Sequence, residues 1–424
     1  MDTSLHPQWG RTIGSYSLPS DMNRTTLSVD SELTGLQAMQ KISQLATEGR
    51  IQGRESLEEN IDIKMLHCAL NLASDPATIR QLANPPIISG CICLMKTISR
   101  QHPRATSLLV GALNLCLLER WGTLDATLAT VKDYPDPRGS PQIITSVKVA
   151  GTIMNQFTGM NIGADFDSAL GWSTSTNNRR QAPLLSRLDM STLFDLMWND
   201  RKLFLQALVN DISTSCGLSG LFCCFSRYVA RAREFRQGPD DESLKFRLFE
   251  LGSRYSLVAP EYQREAMMFV MSTTNCSQKW NNTPKHVDAE DSRLMMSSYI
   301  KQLSDNRDPI LIARDPSINP TFISLVTDAQ TQDLLPEVMK CTIKYGWFAL
   351  LDEEEADKLE GLNDIIFGGL WWLFQPPHNR PYRLKEITQT QLIDAMHGGD
   401  FLDWVACILT RLGPASRTSA FYLP

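Results

Sequence analysis

The stretch HCALNLASDPATIRQLANPPII, residues 67–88, decides the fold, because part of it returns further along the chain. CALNLA at 68–73 is followed by GALNLC at 111–116, and a third phrase, GTIMNQF, occupies 151–157. Asn71 and Asn114 are 43 residues apart, and Asn155 follows 41 residues later. Intervals of about 40 to 47 residues are typical of stacked helical repeat units. The sequence therefore predicts successive helical units over this part of the chain.

Helical periodicity extends well beyond that stretch. Leu33, Leu36 and Met39 recur at spacings of three behind Ser31, a pattern typical of a capped amphipathic helix. Apolar segments of helical length recur at 61–73, 86–99, 105–120, 142–157, 184–198, 201–213, 217–234, 243–256, 262–273, 292–304, 321–327, 333–350, 357–374, 385–397 and 400–412. Polar or proline-bearing joints separate them, and alternation with a period of two is nearly absent. These patterns predict an all-α fold.

One unit of this pattern resembles the armadillo repeat. A helix at 61–73 is followed by Asp-Pro, a short helical turn, Asn-Pro-Pro and a second apolar helix that ends near 99. The resemblance covers about residues 55–160 and implies an armadillo-like or HEAT-like right-handed α-solenoid, in which each unit buries its apolar face on its neighbours. We therefore expect a flexible tail at 1–30, armadillo-like repeats at 31–170, and further stacked helices with degenerate repeats at 184–424.

The same resemblance implies a role for the repeated asparagines. In armadillo proteins that bind extended peptides, the asparagine of this helix lines a concave groove and bonds to the ligand backbone, a role that falls here on Asn71, Asn114 and Asn155. The neighbouring tryptophan of those proteins is replaced here by His67, Val110 and Gly151, so recognition of nuclear-localisation signals is not implied. The alternative is that each asparagine bonds to the backbone of neighbouring helices.

Composition restricts the classes of partner and compartment. The 41 Lys and Arg residues against 47 Asp and Glu residues leave a net charge of −6, which provides no general attraction for nucleic acid. No apolar run reaches 18 residues, so no membrane span is expected, and residues 1–30 lack the pattern of a signal peptide. The ten cysteines lie in apolar phrases, which predicts buried free thiols and a cytoplasmic or nuclear protein.

Acidic residues and one histidine form the densest group of chemically reactive side chains. Asp394, His397, Asp400 and Asp403 lie within ten residues, and such groups serve as metal ligands or acid–base catalysts. The alternative is that they mark helix ends, where His397 favours a helix C-terminus, a following glycine adopts a left-handed conformation, and Asp400 caps the next helix. No phosphate-binding, dinucleotide-binding, hydrolase or zinc-protease motif is present, so we expect no catalytic site, cofactor or metal.

Three further stretches are candidates for binding. SRYVARAREFR at 226–236 places Arg227 and Arg231 on one helix, where they face either an acidic partner or solvent. Trp371 and Trp372 are adjacent in GGLWWLFQPP at 368–377, and since both cannot enter one core from a helix, one is expected to line a groove or an interface. GADFDS at 163–168 contains a D-x-D triplet, interpreted either as a metal-binding pattern or as a loop with a capping aspartate.

The main hypothesis is a non-enzymatic helical-repeat protein that binds another protein or an extended peptide on its concave face, as an adaptor or scaffold. The alternative is a helical enzyme that uses the cluster of Asp394, His397, Asp400 and Asp403. The two differ in whether those side chains converge in a concave site or separate at solvent and helix ends.

Overall fold

The computed structural model describes residues 29–47, 61–74, 77–97, 102–132, 141–158, 164–172, 182–202, 205, 217–232, 241–259, 263–264, 267, 270–271, 287–304, 320–352, 356–374 and 383–412. Within these residues, the α-helices with defined ends are α1 Val29–Thr47, α2 Ile63–Ser74, α3 Pro85–Thr97, α4 His102–Arg120, α5 Leu124–Lys132, α6 Pro141–Thr158, α7 Arg187–Asn199, α8 Ser219–Ala232, α9 Asp241–Ser256, α10 Ala289–Ser304, α11 Pro320–Val326, α12 Leu335–Asp352, α13 Ala356–Phe374, α14 Glu386–Gly398 and α15 Phe401–Leu412. Short 3₁₀ turns occupy Ile79–Leu82, Ala164–Ser168 and Gln332–Leu334.

The predicted all-α class is confirmed, since the described part of the chain contains helices and no strand. The 3₁₀ turn Ile79–Leu82 is the short helical turn predicted after the Asp-Pro pair. Helix α5 was not predicted. It begins at Leu124, two residues after Gly122, whose φ of 68° ends α4, and its short polar sequence LDATLATVK lacks a long apolar stripe.

The described residues form two compact units. The first comprises the described residues up to Gly252 together with 259–271, and the second comprises Ser253–Val258 and 287–412. This division does not fall at the joint near 171–183, and the repeat character predicted for 31–170 and 184–424 stays a prediction. Most of the predicted tail, residues 1–28, lies outside the described residues, whereas Val29 and Asp30 already belong to α1.

The first unit surrounds α4 with other helices. Every residue of α4 from 108 to 118 is buried, because α2, α3, α5, α6 and α8 all pack against it. A helix that is apolar on all sides needs such a complete enclosure. Leu72, Leu113, Leu115 and Ile153 lie in this core, whereas Leu70 is half-buried.

Glycines allow α1 to approach its two neighbours closely. A Cβ atom added at Gly90 of α3 would lie 1.9 Å from the backbone oxygen of Ile42 in α1. A Cβ atom added at Gly35 of α1 would lie 2.8 Å from the backbone oxygen of Cys68 in α2. Both distances are shorter than van der Waals contact, so the two crossings depend on the absence of a side chain.

The second unit is built around α12, which packs against α10, α13, α14 and α15. Tyr299 of α10 meets Thr342 of α12 through a buried hydrogen bond of 2.8 Å between their hydroxyl oxygens. Burial raises the pKa of the Tyr299 phenol, so the hydroxyl stays protonated. Arg254 joins the segment Ser253–Val258 to α10, because its guanidinium donates two hydrogen bonds of 2.7 Å to the fully buried carboxylate of Asp291.

Within the described residues, no helix combines the length and the apolar character that crossing a membrane requires. The eight cysteines that the structure describes are free thiols; six are buried as expected, whereas Cys93 is half-buried and Cys407 is exposed. Burial raises the pKa of the Cys116 thiol to about 12.

Candidate protein-binding surface

Helix α15 is anchored firmly on the second unit by its inner face. The fully buried indole of Trp404 stacks on Phe367 of α13, with ring centroids 5.0 Å apart. It also lies against Gly346 of α12, where an added Cβ atom would come within 2.6 Å of Trp404 Cζ2. Large buried aromatic side chains of this kind contribute much of the packing energy of a helix. The position of α15 is therefore set by the core.

The turn before α15 and its last residues are also attached to α12. Trp347 Nε1 donates a hydrogen bond of 3.0 Å to the carbonyl oxygen of Gly399, directly before the helix. The Arg411 guanidinium donates a hydrogen bond to the carbonyl oxygen of Leu350. Because both ends are held, the outer face of α15 is presented on a fixed support.

That outer face is apolar along one line. Leu402 and Leu409 have 72% and 61% of their surface exposed, and Ala406 between them is exposed as well. The three residues are spaced four and three apart, so they lie on one side of the helix. We call Leu402, Ala406 and Leu409 the α15 stripe. Half-buried Val405 connects the stripe to the core face, and Asp403 borders it on the side facing solvent.

Exposed apolar side chains are concentrated near this end of the chain. Eight large hydrophobic residues are exposed among those that the structure describes, and they are Leu33, Leu188, Leu351, Trp371, Ile387, Ile393, Leu402 and Leu409. Four of them belong to α14 and α15. Isolated exposed leucines are common on protein surfaces, but a line of them on an anchored helix is typical of an interaction surface.

On α14, α15 and the turn between them, four acidic residues accompany one basic residue, Arg411. Between 386 and 410 the chain has four acidic residues and no Lys or Arg. All four acidic side chains are exposed, and they are Glu386, Asp394, Asp400 and Asp403. Such an arrangement favours cationic partners and repels anionic ones.

The side chains of the alternative enzyme hypothesis lie on the surface of the second unit. Asp394, His397, Asp400 and Asp403 are all exposed, and within the described residues no group of three His, Cys, Asp or Glu side chains is placed to hold a metal ion. His397 in the last turn of α14 and Asp400 directly before α15 agree with the alternative interpretation as residues of helix ends, whereas Asp394 lies within α14.

One detail of that turn differs from the expectation. The residue with left-handed backbone is Asp400, with a φ of 51°, rather than a glycine, and Gly399 has a φ of −100°. Aspartate is among the residues that tolerate this conformation best. Gly399 serves another purpose, because a Cβ atom there would lie 3.0 Å from Ile343 Cγ2. The glycine allows α14 to pack closely on α12.

Asn114 does not line an open groove, contrary to the prediction. Its side chain is fully buried beneath α8, and its Nδ2 lies 3.5 Å from the carbonyl oxygen of Gly217, to which it donates. A Cβ atom at Gly220 would lie 1.9 Å from Asn114 Oδ1, so α8 covers the amide directly. The alternative interpretation, contact with neighbouring backbone, fits this residue. Asn71 is half-buried and Asn155 is exposed, and a binding role for either stays a prediction.

The two candidate arginines are engaged inside the first unit. Arg227 donates two hydrogen bonds, of 3.0 and 3.1 Å, to the buried carboxylate of Asp167, and Arg231 approaches the same carboxylate at 2.7 Å. The guanidinium of Arg231 also lies over the ring of Trp172, 5.9 Å from its centroid. These contacts fix the turn at 164–172 on α8. The sequence offered an acidic partner or solvent for these arginines; instead both pair with Asp167, which the D-x-D triplet had marked as a possible metal ligand or capping residue.

The adjacent tryptophans behave as the sequence predicted in one respect. Trp371 is 44% exposed, whereas Trp372 is half-buried, so the two side chains lie in different environments. A role for Trp371 at an interface stays a prediction.

The α15 stripe was not predicted, although the sequence contains a signal for it. In FLDWVACILTRL at 401–412, apolar residues occupy more than half of the helix circumference, which is more than a single packing face requires. A helical projection shows the surplus, but not which apolar residues the core leaves exposed.

Comparisons with protein-family models, curated proteins and solved structures found no match for this chain.

Proposed function

We propose that this protein is a non-enzymatic adaptor or scaffold that binds another protein through the α15 stripe. The observation that supports the proposal is the line of exposed Leu402, Ala406 and Leu409 on a helix whose inner face and ends are anchored. Burying an exposed leucine completely contributes about 1.5–3 kcal/mol, so the two leucines would supply a substantial part of a specific association. The proposal keeps the protein partner expected from the sequence but assigns it to α15 rather than to a groove lined by Asn114.

The solenoid arrangement is also part of the proposal. It is supported by the spacing of 43 and 41 residues and by the packing of α2 on α4 and of α4 on α6. However, α2 packs on α6 as well, and α8 covers α4, so a regular groove on this side of the first unit is not supported. The free thiols support the expected cytoplasmic or nuclear location.

The proposal is tested by comparative affinity capture from the native cell with quantitative mass spectrometry. The variant Leu402→Asp/Leu409→Asp is compared with the unchanged chain and with the control Leu33→Asp/Leu188→Asp. The control replaces two exposed leucines of the first unit, so it has the same chemistry at a different place. We expect proteins that the unchanged chain and the control retain equally to be lost from the α15 variant. Equal retention by all three chains would contradict the proposal.

A further inference from the structure

We propose that the partner segment bound by the α15 stripe is a basic amphipathic helix. This inference rests on the proposed function and adds the chemistry of the partner. Three properties of the surface support it: the acidic residues beside the stripe, the spacing of the apolar residues, and the backbone of α15, whose hydrogen-bonding groups are paired within the helix.

The charge of the surface selects a cationic partner. Asp403 lies beside the stripe, Asp400 directly precedes the helix, and Asp394 and Glu386 extend the acidic character along α14. Two basic residues flank residues 386–410: Lys385 directly precedes Glu386 at the start of α14, and Arg411 already donates to the carbonyl oxygen of Leu350. A partner with Lys or Arg beside its apolar residues gains attraction at each of these acids, whereas an acidic partner is repelled.

The spacing of the stripe selects a helix. Leu402 and Leu409 are seven residues apart, or about 10 Å along the helix axis. Ala406 between them has a short side chain, so one side chain of a crossing helix can pack between the two leucines. A partner helix with apolar residues at positions i, i+3 or i+4 and i+7 matches this length. The surface therefore accommodates two turns of a partner helix.

An extended peptide is a poorer match. Extended peptides gain much of their affinity from hydrogen bonds to a free sheet edge or to side-chain amides. The described residues contain no strand, and the backbone of α15 is engaged in its own helical hydrogen bonds. Recognition at this site depends on apolar contact and charge, which an amphipathic helix provides without backbone donors.

The same charge argues against other occupants. A second copy of this chain would bring the four acids of one α14–α15 pair against the four of another, which costs binding energy. An anionic lipid surface and a nucleic acid backbone are repelled in the same way. A basic helix is the occupant that satisfies both the apolar stripe and its acidic border.

The inference is tested with the full chain and three fluorescein-labelled peptides of about 18 residues, a length at which isolated helices become stable enough to form. The first peptide forms an amphipathic helix of Leu and Lys, and the second has Glu in place of Lys. The third has the same Leu and Lys content as the first, in an order that distributes leucine around the helix. We expect anisotropy titrations to show the first peptide binding at least about tenfold more tightly than the other two.

Charge variants then test the acidic border. Asp394→Lys/Asp403→Lys is expected to weaken binding of the Leu/Lys peptide about tenfold, because two attractions become repulsions. The control Glu32→Lys/Glu119→Lys makes the same change of charge in the first unit. It is matched in position, since Asp403 and Glu32 both lie in the first turn of a helix. Asp400 is left unchanged because its positive φ would make a substitution strained.

The outcomes separate this inference from the proposed function. If the Leu/Glu peptide binds as well as the Leu/Lys peptide, or if the charge variant binds like its control, the basic partner is overturned while protein binding through the stripe stands. If Leu402→Asp/Leu409→Asp still binds the Leu/Lys peptide, the site on α15 is overturned. If sedimentation shows a dimer that the same leucine variant dissociates, a second copy occupies the stripe, and the basic helix is overturned. Binding of the unchanged chain to phosphatidylserine vesicles, lost in that variant, would overturn it in favour of a lipid surface.

Discussion

Gly90→Ala should destabilise the first unit, although alanine is the better helix former. In an unobstructed helix the change gains about 1 kcal/mol, because glycine loses more conformational freedom on folding. At Gly90 the new Cβ atom would lie 1.9 Å from the backbone oxygen of Ile42, whereas real Cβ atoms essentially never come closer than 3.0 Å. Helices α1 and α3 must therefore separate by at least 1.1 Å. A backbone oxygen cannot turn aside as a side chain can, so the strain falls on the whole crossing.

The cost of that separation follows from what the crossing buries. Ala38, Met39, Ile42 and Leu45 of α1 are all 5% exposed or less, and their contacts weaken together when the helix moves outward. Overpacking a core costs about 1–3 kcal/mol, and a backbone obstacle places Gly90 at the upper end of that range. We expect a net loss of about 2 kcal/mol after the gain in helix propensity.

Gly151→Ala is the matched control. Gly151 also lies inside a helix, α6, but no atom lies within 4 Å of an added Cβ. It should be stabilising by about 0.5–1 kcal/mol. Urea unfolding followed by far-UV circular dichroism gives the two free energies, and hydrogen exchange with mass spectrometry shows whether α1 and α3 lose protection. Equal stability of the two variants would refute the argument from the close crossing.

Three further changes test other parts of the fold. Asn363→Leu should raise the melting temperature, because both amide atoms of this buried residue lack a hydrogen-bond partner and each such group costs about 1–3 kcal/mol. A lower melting temperature would show that the amide has a partner in solution. Asp291→Asn should lower the free energy of unfolding in urea by about 3–5 kcal/mol, because it leaves a buried arginine without its carboxylate. Asp333→Asn, in an exposed ion pair, should lower it by under about 1 kcal/mol. Similar losses in the two variants would contradict this reasoning. Iodoacetamide at about pH 8 should alkylate exposed Cys407 long before Cys116, as peptide mass spectrometry would show, because burial raises the Cys116 pKa to about 12. Since the unfolded thiols ionise near about pH 8.5, stability should also fall as the pH rises above that value.

The helices were predictable because their signals are local. Apolar residues three and four apart, together with proline and glycine at the joints, depend on neighbours within a few positions. The segments predicted at 61–73 and 142–157 correspond to helices at Ile63–Ser74 and Pro141–Thr158. The same locality explains why α5 was missed, since a nine-residue helix with polar residues on several sides has a weak periodic signal.

In GALNLC, the local sequence pattern determines the environment of the leucines but not that of the asparagine. The leucines are buried, because an apolar side chain is favoured in any core that the helix contacts. For Asn114 the sequence left two interpretations open, a ligand groove or the backbone of a neighbouring segment, and the structure places it against Gly217, 103 residues later in the chain. An amide is satisfied equally by a peptide, by water or by a helix backbone, so its type does not reveal which of them it meets.

For the arginines and the α15 stripe, the local sequence did not determine which side chains are covered and which are exposed. Arg227 and Arg231 look like a charged surface in the sequence, but Asp167, 60 residues before Arg227, binds both. Leu402 and Leu409 look like core residues in the sequence, but the core contacts the other side of their helix and leaves them exposed. Residue type and spacing therefore specified the helices and the amount of apolar surface on each. Contacts between distant segments specified which part of that surface is covered, because covering it requires a second element whose position no local pattern encodes.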